Sequence, residues 1–273
     1  MASNTGTMFF TAVDYVVLGL MLALSLAIGL YFSFAKNRQR TNEEYLLGGR
    51  RMSAFPVSLS LFATFQSAIA LLGLPNESYT YGTMFVYNII GISLSYLIAR
   101  ITVVPLLYPL QLTSVYEYLA LRFESKLVQK FGALTGILAS LSYMSIALVS
   151  PALALETTAG IPLWLSIVVI GGVGTFYTTL GGIKSVIWTD FIQAFFMFIG
   201  IVTVLIIGCI DAGGIDNVWR INKETGRIVM NETSFDPRIR HTVWNLSFGY
   251  IVFAYAPNFY QSSVQRILAT KSL

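Results

Sequence analysis

Charge is scarce in this sequence. Only 11% of its 273 residues are Asp, Glu, Lys or Arg, against roughly 25% in a soluble globular domain. With a mean hydropathy of +0.70, the chain is built for lipid rather than water. Cysteine is scarcer still: Cys209 stands alone, which excludes an internal disulfide and any cysteine-rich metal cluster. His241 is the single histidine, so zinc held by imidazoles and histidine-based catalysis both lack their residues. There is no phosphate-cradling glycine loop, no nucleophile–base pair and no metal-ligand spacing. The pattern is not that of an enzyme, and nothing in it points to nucleic acid.

Long uncharged runs take the place of those features. About 20 mostly apolar helical residues cross the roughly 30 Å hydrocarbon core of a bilayer. Stretches free of acidic and basic residues predict seven spans, at about 10–34, 53–74, 83–108, 131–155, 162–180, 186–209 and 243–262. Each must be helical, or else line a cavity enclosed by protein, because lipid cannot satisfy irregular backbone. The first basic residue, Lys36, follows the first apolar run instead of preceding it, so that run reads as a retained span and not a secretory leader.

Basic residues set the orientation. With the N-terminus outside, the inner segments carry Lys36, Arg38, Arg40, Arg50, Arg51, Arg122, Lys126, Lys130, Lys184, Arg266 and Lys271. The short outer segments carry only Asp14, Glu77 and Glu156, and the long loop 211–242 is balanced in charge. The positive-inside rule therefore predicts N-terminus out and C-terminus in. Asn231-Glu232-Thr233 in that loop is a glycosylation sequon consistent with an outer location. A second sequon, Asn76-Glu77-Ser78, lies close to the membrane. Arg100, near the inner third of the third span, reads as snorkelling to the surface.

Two spans depart from plain lipid-facing helix. The second crowds Ser58, Ser60, Thr64, Gln66 and Ser67 into a segment closed by Gly73 and Pro75. Small and hydroxylated residues are one way to pack helices together. A broken helix, whose freed carbonyls bind a cation and whose freed N–H groups bind an anion, is the other. The seventh contains Pro257, which removes a backbone hydrogen bond, beside Asn258. The interrupted spans are five apart, the spacing of inverted five-helix repeats with a substrate between their broken first helices. Asp190 reads either as a carboxylate near a helix N-terminus or as one facing an ion pathway.

The run Tyr177-Thr178-Thr179-Leu180-Gly181-Gly182-Ile183-Lys184-Ser185-Val186-Ile187-Trp188-Thr189-Asp190-Phe191-Ile192-Gln193 resembles the signature of the sodium/solute symporter family. Tyr45-Leu46-Leu47-Gly48-Gly49-Arg50-Arg51-Met52 and Val264-Gln265-Arg266 fit the same pattern. Phe65-Gln66-Ser67 and Gly73-Leu74-Pro75-Asn76-Glu77 resemble the branch that carries monocarboxylates, vitamins such as biotin and pantothenate, or iodide.

The resemblance implies an all-α, leucine-transporter-like inverted-repeat fold in a multi-pass plasma-membrane protein. It would comprise one truncated transmembrane domain, 1–273: an extra helix at 10–34, a first five-helix repeat over 53–209, the outer loop 211–242, and the first helix of the second repeat at 243–262. Sodium is then the co-transported ion, with no cofactor, and the other partner is a small anionic solute. Sodium binding would use the carbonyls of Ala63 and Gln66, with Asp190 near the inner exit. Solute contacts would involve Thr64, Phe65, Ser67 and Ala68, facing Tyr255 and Asn258. The family's remaining sodium ligands lie on a later helix, so this chain is expected not to transport alone. A truncated regulatory partner of a full-length transporter is the alternative. A seven-helix receptor lacks its Asp/Glu-Arg-Tyr and Asn-Pro-x-x-Tyr motifs here.

Overall fold

The computed structural model describes residues 10–34 and 41–271. Lys36, Arg38 and Arg40, used above for orientation, lie outside the described residues, as does the side chain of Ala68. The described chain is helical, with one isolated parallel β-bridge between Met52 and Thr270. Four helical segments are long and apolar enough to cross a membrane: Ala12–Phe34, Thr83–Leu107, Lys126–Ala159 and Leu163–Asp211. A bent helix pair around Gln66 makes a fifth.

The difference from seven expected spans has local causes. Expected spans 162–180 and 186–209 run together as α8, Leu163–Asp211, interrupted by Gly182 at φ 57°, ψ −159°. That backbone region is essentially reserved for glycine, so the turn between the two halves takes a single residue. The expected span 243–262 is divided into a π-turn at Asn245–Gly249, α10 at Tyr250–Tyr255, a 3₁₀ turn at Ala256–Phe259 and α11 at Gln261–Leu268. None of these pieces crosses a bilayer by itself.

The chain forms two compact units. The first comprises the described parts of Met1–Ile69, Ser125–Ile192 and Ala269–Leu273. It contains α1 (Ala12–Phe34), the short α2 (Asn42–Leu47), α3 (Ala54–Phe65), α7 (Lys126–Ala159) and α8 as far as Ile192. Its helix ends follow the usual capping chemistry. Thr41 Oγ1 accepts from Glu44 N–H at 3.2 Å to start α2, and Ser125 Oγ accepts from Val128 N–H at 3.4 Å to start α7. Tyr15 O–H donates to the Ala159 carbonyl at 2.6 Å, joining α1 to the end of α7. Tyr45 O–H donates to the Thr179 carbonyl at 2.9 Å, fixing α2 beside α8. Met52 N–H donates to Ala269 at 3.0 Å and Lys271 N–H returns to Met52 at 3.1 Å. This bridge sits over a buried cluster of Met52, Val57, Ile183, Ile187 and Ala269, with Leu61 packed on it.

The second unit comprises Ala70–Glu124 and Gln193–Leu268. It holds most of α4 (Ala68–Tyr81), all of α5 (Asn88–Leu107), α6 (Val115–Phe123), α9 (Ile215–Glu224), α10 and α11, and α8 from Gln193 onward. Helix α5 packs along α10 and the preceding π-turn. The approach is close at Gly91, where a Cβ would overlap the Ser247 carbonyl and Tyr250 Cβ. Gln261 ties α11 to the start of α6, accepting from Val115 N–H at 2.8 Å and donating to the Thr113 carbonyl at 3.2 Å. Arg100 is exposed on α5, as snorkelling requires. Elsewhere the long helices turn Phe198, Val204, Ile101 and other apolar side chains outward, the pattern of a lipid-solvated surface.

Candidate functional site

Helix α3 ends at Phe65, and Gln66 (φ −86°, ψ 67°) and Ser67 lie outside any helix before α4 resumes. Gln66 N–H still donates to the Phe62 carbonyl at 2.9 Å. With Ser67 out of register, the Ala63 carbonyl loses the N–H it would meet four residues on. Among the described residues the half-buried Gln66 carboxamide makes no hydrogen bond. The expected interruption is therefore present, at the polar cluster that signalled it. Its two sides differ electrostatically. The C-terminal end of α3, at Ala63–Gln66, carries the partial negative charge of a helix terminus, and the start of α4 carries the partial positive charge.

One turn upstream of Thr64, the fully buried Ser60 hydroxyl donates to Asp190 Oδ2 at 2.6 Å. Asp190 is half-buried and lies eight residues beyond the Gly182 break. It is thus two turns inside the resumed helix, too deep for the terminal-charge reading, since that effect fades within the first turn. The pairing links α3 to α8 within the first unit. Thr64 Oγ1 is engaged locally, donating to the Ser60 carbonyl at 2.9 Å. Phe65 and Ser67 are half-buried at the break. Sequence reading noted Ser60 only as one of a polar crowd. Its partner lies 130 residues away, and no local pattern announces such a contact.

In the second unit, the expected kink at Pro257 takes another form. Pro257 fits into the first turn of a 3₁₀ segment, and the helix leaves its path at Tyr260, which is extended (φ −67°, ψ 144°). Asn258 is buried and donates its Nδ2 protons to the carbonyls of Ala254 (3.0 Å) and Tyr255 (3.1 Å). It thereby satisfies backbone acceptors that the change of helix type leaves open. Its donor side is committed, and Oδ1 remains available as an acceptor. Tyr255 O–H shares a hydrogen bond with Thr102 Oγ1 on α5 at 2.8 Å.

The second unit also contains a network that sequence reading missed. Glu77, at the far end of α4, receives Arg240 through Nε at 2.8 Å and Nη2 at 3.2 Å, and pairs with His241 Nε2 at 2.9 Å. His241 is buried, edge-on to Tyr81 and beside Phe85. Nearby, Thr83 N–H donates to the Arg227 carbonyl at 3.0 Å, and Thr83 Oγ1 exchanges hydrogen bonds with Val229 at 2.9 and 3.1 Å. Tyr87 O–H donates to the Met230 carbonyl at 2.9 Å. Residues 227–241 are therefore strapped to the end of α4 and the turn after it. Asn231 is exposed on this strap. Farther along, a hydrogen bond from Arg238 holds the Asp236 carboxyl below its ordinary pKa.

A sequence model of the sodium:solute symporter family matches residues 45–273. The sodium-dependent multivitamin transporter of Oryctolagus cuniculus is 44% identical over 99% of this chain, which corresponds to 42% of that protein. Human sodium-coupled monocarboxylate transporter 1 is 40% identical over 96% of the chain and 43% of its own length. The human sodium/iodide cotransporter is 39% identical over 96% of the chain and 41% of its own length. The chain thus spans about two fifths of the length of these curated relatives. Among solved structures, a Na⁺-coupled sialic acid symporter in a substrate-bound outward-open state matches with a TM-score of 0.82 and 30% identity, covering 96% of this chain and 54% of that one.

Proposed function

The chain belongs to the sodium:solute symporter family, and on that premise we propose that it forms part of a sodium-coupled symporter for a small organic anion, a monocarboxylate or a vitamin such as biotin or pantothenate. It is a multi-pass membrane protein. We assign it to the plasma membrane with its N-terminus outside, in a seven-span arrangement whose seventh span is the broken segment 243–262.

The observation that carries this reading is the helix break at Gln66–Ser67. A continuous apolar helix has no backbone group to offer an ion. This one exposes carbonyls at its negative end and N–H groups at its positive end within a few residues of each other. A sodium ion takes the carbonyls of Ala63 and Gln66 in place of water. An anion takes the N–H groups at the start of α4, with Thr64, Phe65, Ser67 and Ala68 as its contacts; in the other unit Tyr255 and Asn258 are the residues we assign to the solute. The Asn258 contribution is its free Oδ1, which suits a protonated or hydroxylated edge of the solute. Asp190, oriented by Ser60, offers the departing sodium a carboxylate. Each sodium ion moving inward through 100 mV releases about 2.3 kcal/mol. A monovalent anion entering against the same potential costs an equal amount, so with two sodium ions per anion about 2.3 kcal/mol remains. At about 1.4 kcal/mol per tenfold, that sustains a concentration ratio of roughly 50 before the sodium gradient is counted.

The test is uptake into vesicles holding the full-length transporter of which this chain forms part, with biotin, pantothenate, lactate, nicotinate and iodide supplied in turn, in sodium or in choline; residues 1–273 alone are expected not to transport. The expected result is sodium-dependent accumulation of one organic anion, abolished when Gln66-Ser67 is replaced by Ala-Ala to restore a continuous helix. Uptake indifferent to sodium, or unchanged in the continuous-helix variant, overturns the proposal.

A further inference from the structure

The loop between α8 and the seventh segment carries two apolar surfaces that no part of the described chain covers. The first is one face of α9, Ile215–Glu224. At 100° per residue, Ile215, Val218 and Trp219 share one side, while Asp216, Arg220 and Glu224 lie toward the other. Ile215 is 72% exposed and Trp219 61% exposed, and no residue of the helix is buried. The second is a ladder of stacked rings. Phe235 lies on Trp244 at 5.2 Å and 10°, and Trp244 on Phe248 at 6.0 Å and 16°. Trp244 Nε1–H donates to the Thr233 carbonyl at 2.9 Å, so the indole keeps a satisfied polar edge while its ring carries Phe235, 81% exposed.

Each surface is tethered to the end of an apolar segment. Only three residues separate Asp211, the end of α8, from Ile215, a reach of at most about 15 Å. That short connection is also shaped. Gly213 and Gly214 have φ of 83° and 106°, Gly214 N–H caps the Cys209 carbonyl at 2.8 Å, and the Asn217 carboxamide binds the Ala212 carbonyl. Helix α9 is thereby held at the mouth of α8. The ring ladder likewise continues into the outward-facing Phe248, Val252 and Phe253 of the seventh segment. A headgroup layer is roughly 5–8 Å deep on each side of the hydrocarbon, so both surfaces fall within its reach.

We propose that the loop is a membrane-surface module: α9 and the Phe235–Trp244–Phe248 ladder both lie in the lipid headgroup layer at the outer face of the bilayer. Two features select lipid as the occupant. An amphipathic helix with tryptophan on its apolar side and a charged opposite side is the form that lies in an interface. Tryptophan with one polar and one apolar edge concentrates at the same depth. The module anchors the loop from both ends and leaves the strapped segment between them, with Asn231, facing water. This inference rests on the chain being membrane-embedded and, for the side of the bilayer, on the proposed orientation, and it stands whether or not the solute proposal does.

The single native cysteine makes the test direct. In a Cys209→Ser background, a nitroxide label is placed at Ile215→Cys, Trp219→Cys or Phe235→Cys, with Asp216→Cys and Glu224→Cys as polar-face controls. The reconstituted protein is then exposed to oxygen, which partitions into lipid, and to a water-soluble nickel chelate. All three apolar positions are exposed, so replacing them removes little packing. The expected result is severalfold more oxygen than chelate accessibility at 215, 219 and 235, with the order reversed at 216 and 224. Equal chelate access at all five positions overturns the proposal in favour of a loop free in water. Shielding of 215, 219 and 235 from both reagents overturns it in favour of a protein cover, from another segment or a second copy.

Discussion

Removing the Ser60 hydroxyl isolates the contribution of one hydrogen bond to sodium handling. The bond is 2.6 Å long, runs from a fully buried hydroxyl to Asp190, and is of the short charge-assisted class. Such bonds contribute about 1.5–3 kcal/mol, which converts to roughly 10- to 150-fold in an equilibrium constant. Asp190 has at least one further interaction, so part of its orientation survives, and Ser60→Ala is expected to raise the sodium concentration for half-maximal uptake about tenfold, the low end of that range. Asp190→Ala should raise it further. In the double variant the Ser60 change should add almost nothing, because residues in direct contact do not act additively. The assay is initial uptake rate against external sodium for the four members of the cycle, made in the full-length transporter of which this chain forms part, with membrane expression measured for each. Full additivity, or a Ser60→Ala protein with an unchanged sodium requirement, would falsify the view that Ser60 acts through Asp190.

Four further outcomes are expected. Gly182→Ala places a Cβ at φ 57°, ψ −159° and should destabilise the protein by about 1–3 kcal/mol, read as a lower Tm in detergent; an unchanged Tm contradicts the reading of that turn. Asn258→Ala leaves two part-buried carbonyls unserved and should cost about 1–2 kcal/mol, with Asn258→Asp, which has no donors, no better; stability equal to the parent would mean that water or lipid replaces the carboxamide. Glu77→Ala releases Arg240 and His241 together and should accelerate proteolytic cleavage within residues 227–241, with no such change when the exposed Arg220–Glu224 pair is broken instead. Asn231→Gln should remove an endoglycosidase-sensitive mobility shift when the protein is made in cells that glycosylate, and persistence of the shift would place the modification elsewhere.

The helix break at Gln66–Ser67 was legible because polar residues inside an apolar run are costly unless they have a use. Its position follows from the side chains themselves. The second break was legible in kind and misjudged in place. Pro257 announces a lost hydrogen bond, yet a 3₁₀ turn accommodates it, and the chain departs three residues later at Tyr260. Asp190 shows another limit. Its reading as a terminal charge depended on where the helix begins, and the break at Gly182 puts that beginning two turns before Asp190. Span counting separated 162–180 from 186–209, whereas the structure runs the two together as α8 because one glycine, Gly182, makes the turn without a polar loop. The Ser60–Asp190 contact and the Glu77 network join residues 130 and 163 positions apart. Pairings at that distance leave no periodic or compositional trace.

The Met52–Thr270 bridge has a consequence for biogenesis. It joins residues 218 positions apart (270 − 52), inside a unit whose last stretch begins at Ala269. A ribosome adding about 5–20 residues per second needs roughly 10–45 s to travel that distance. Throughout this interval the nascent segment around Met52 has no backbone partner at residues 269–271, and by its end every residue of the other unit has been made. This bridge therefore closes only after residues 70–268 have been made, and chaperone or translocon contacts with the newborn chain are expected to linger on the segment preceding α3.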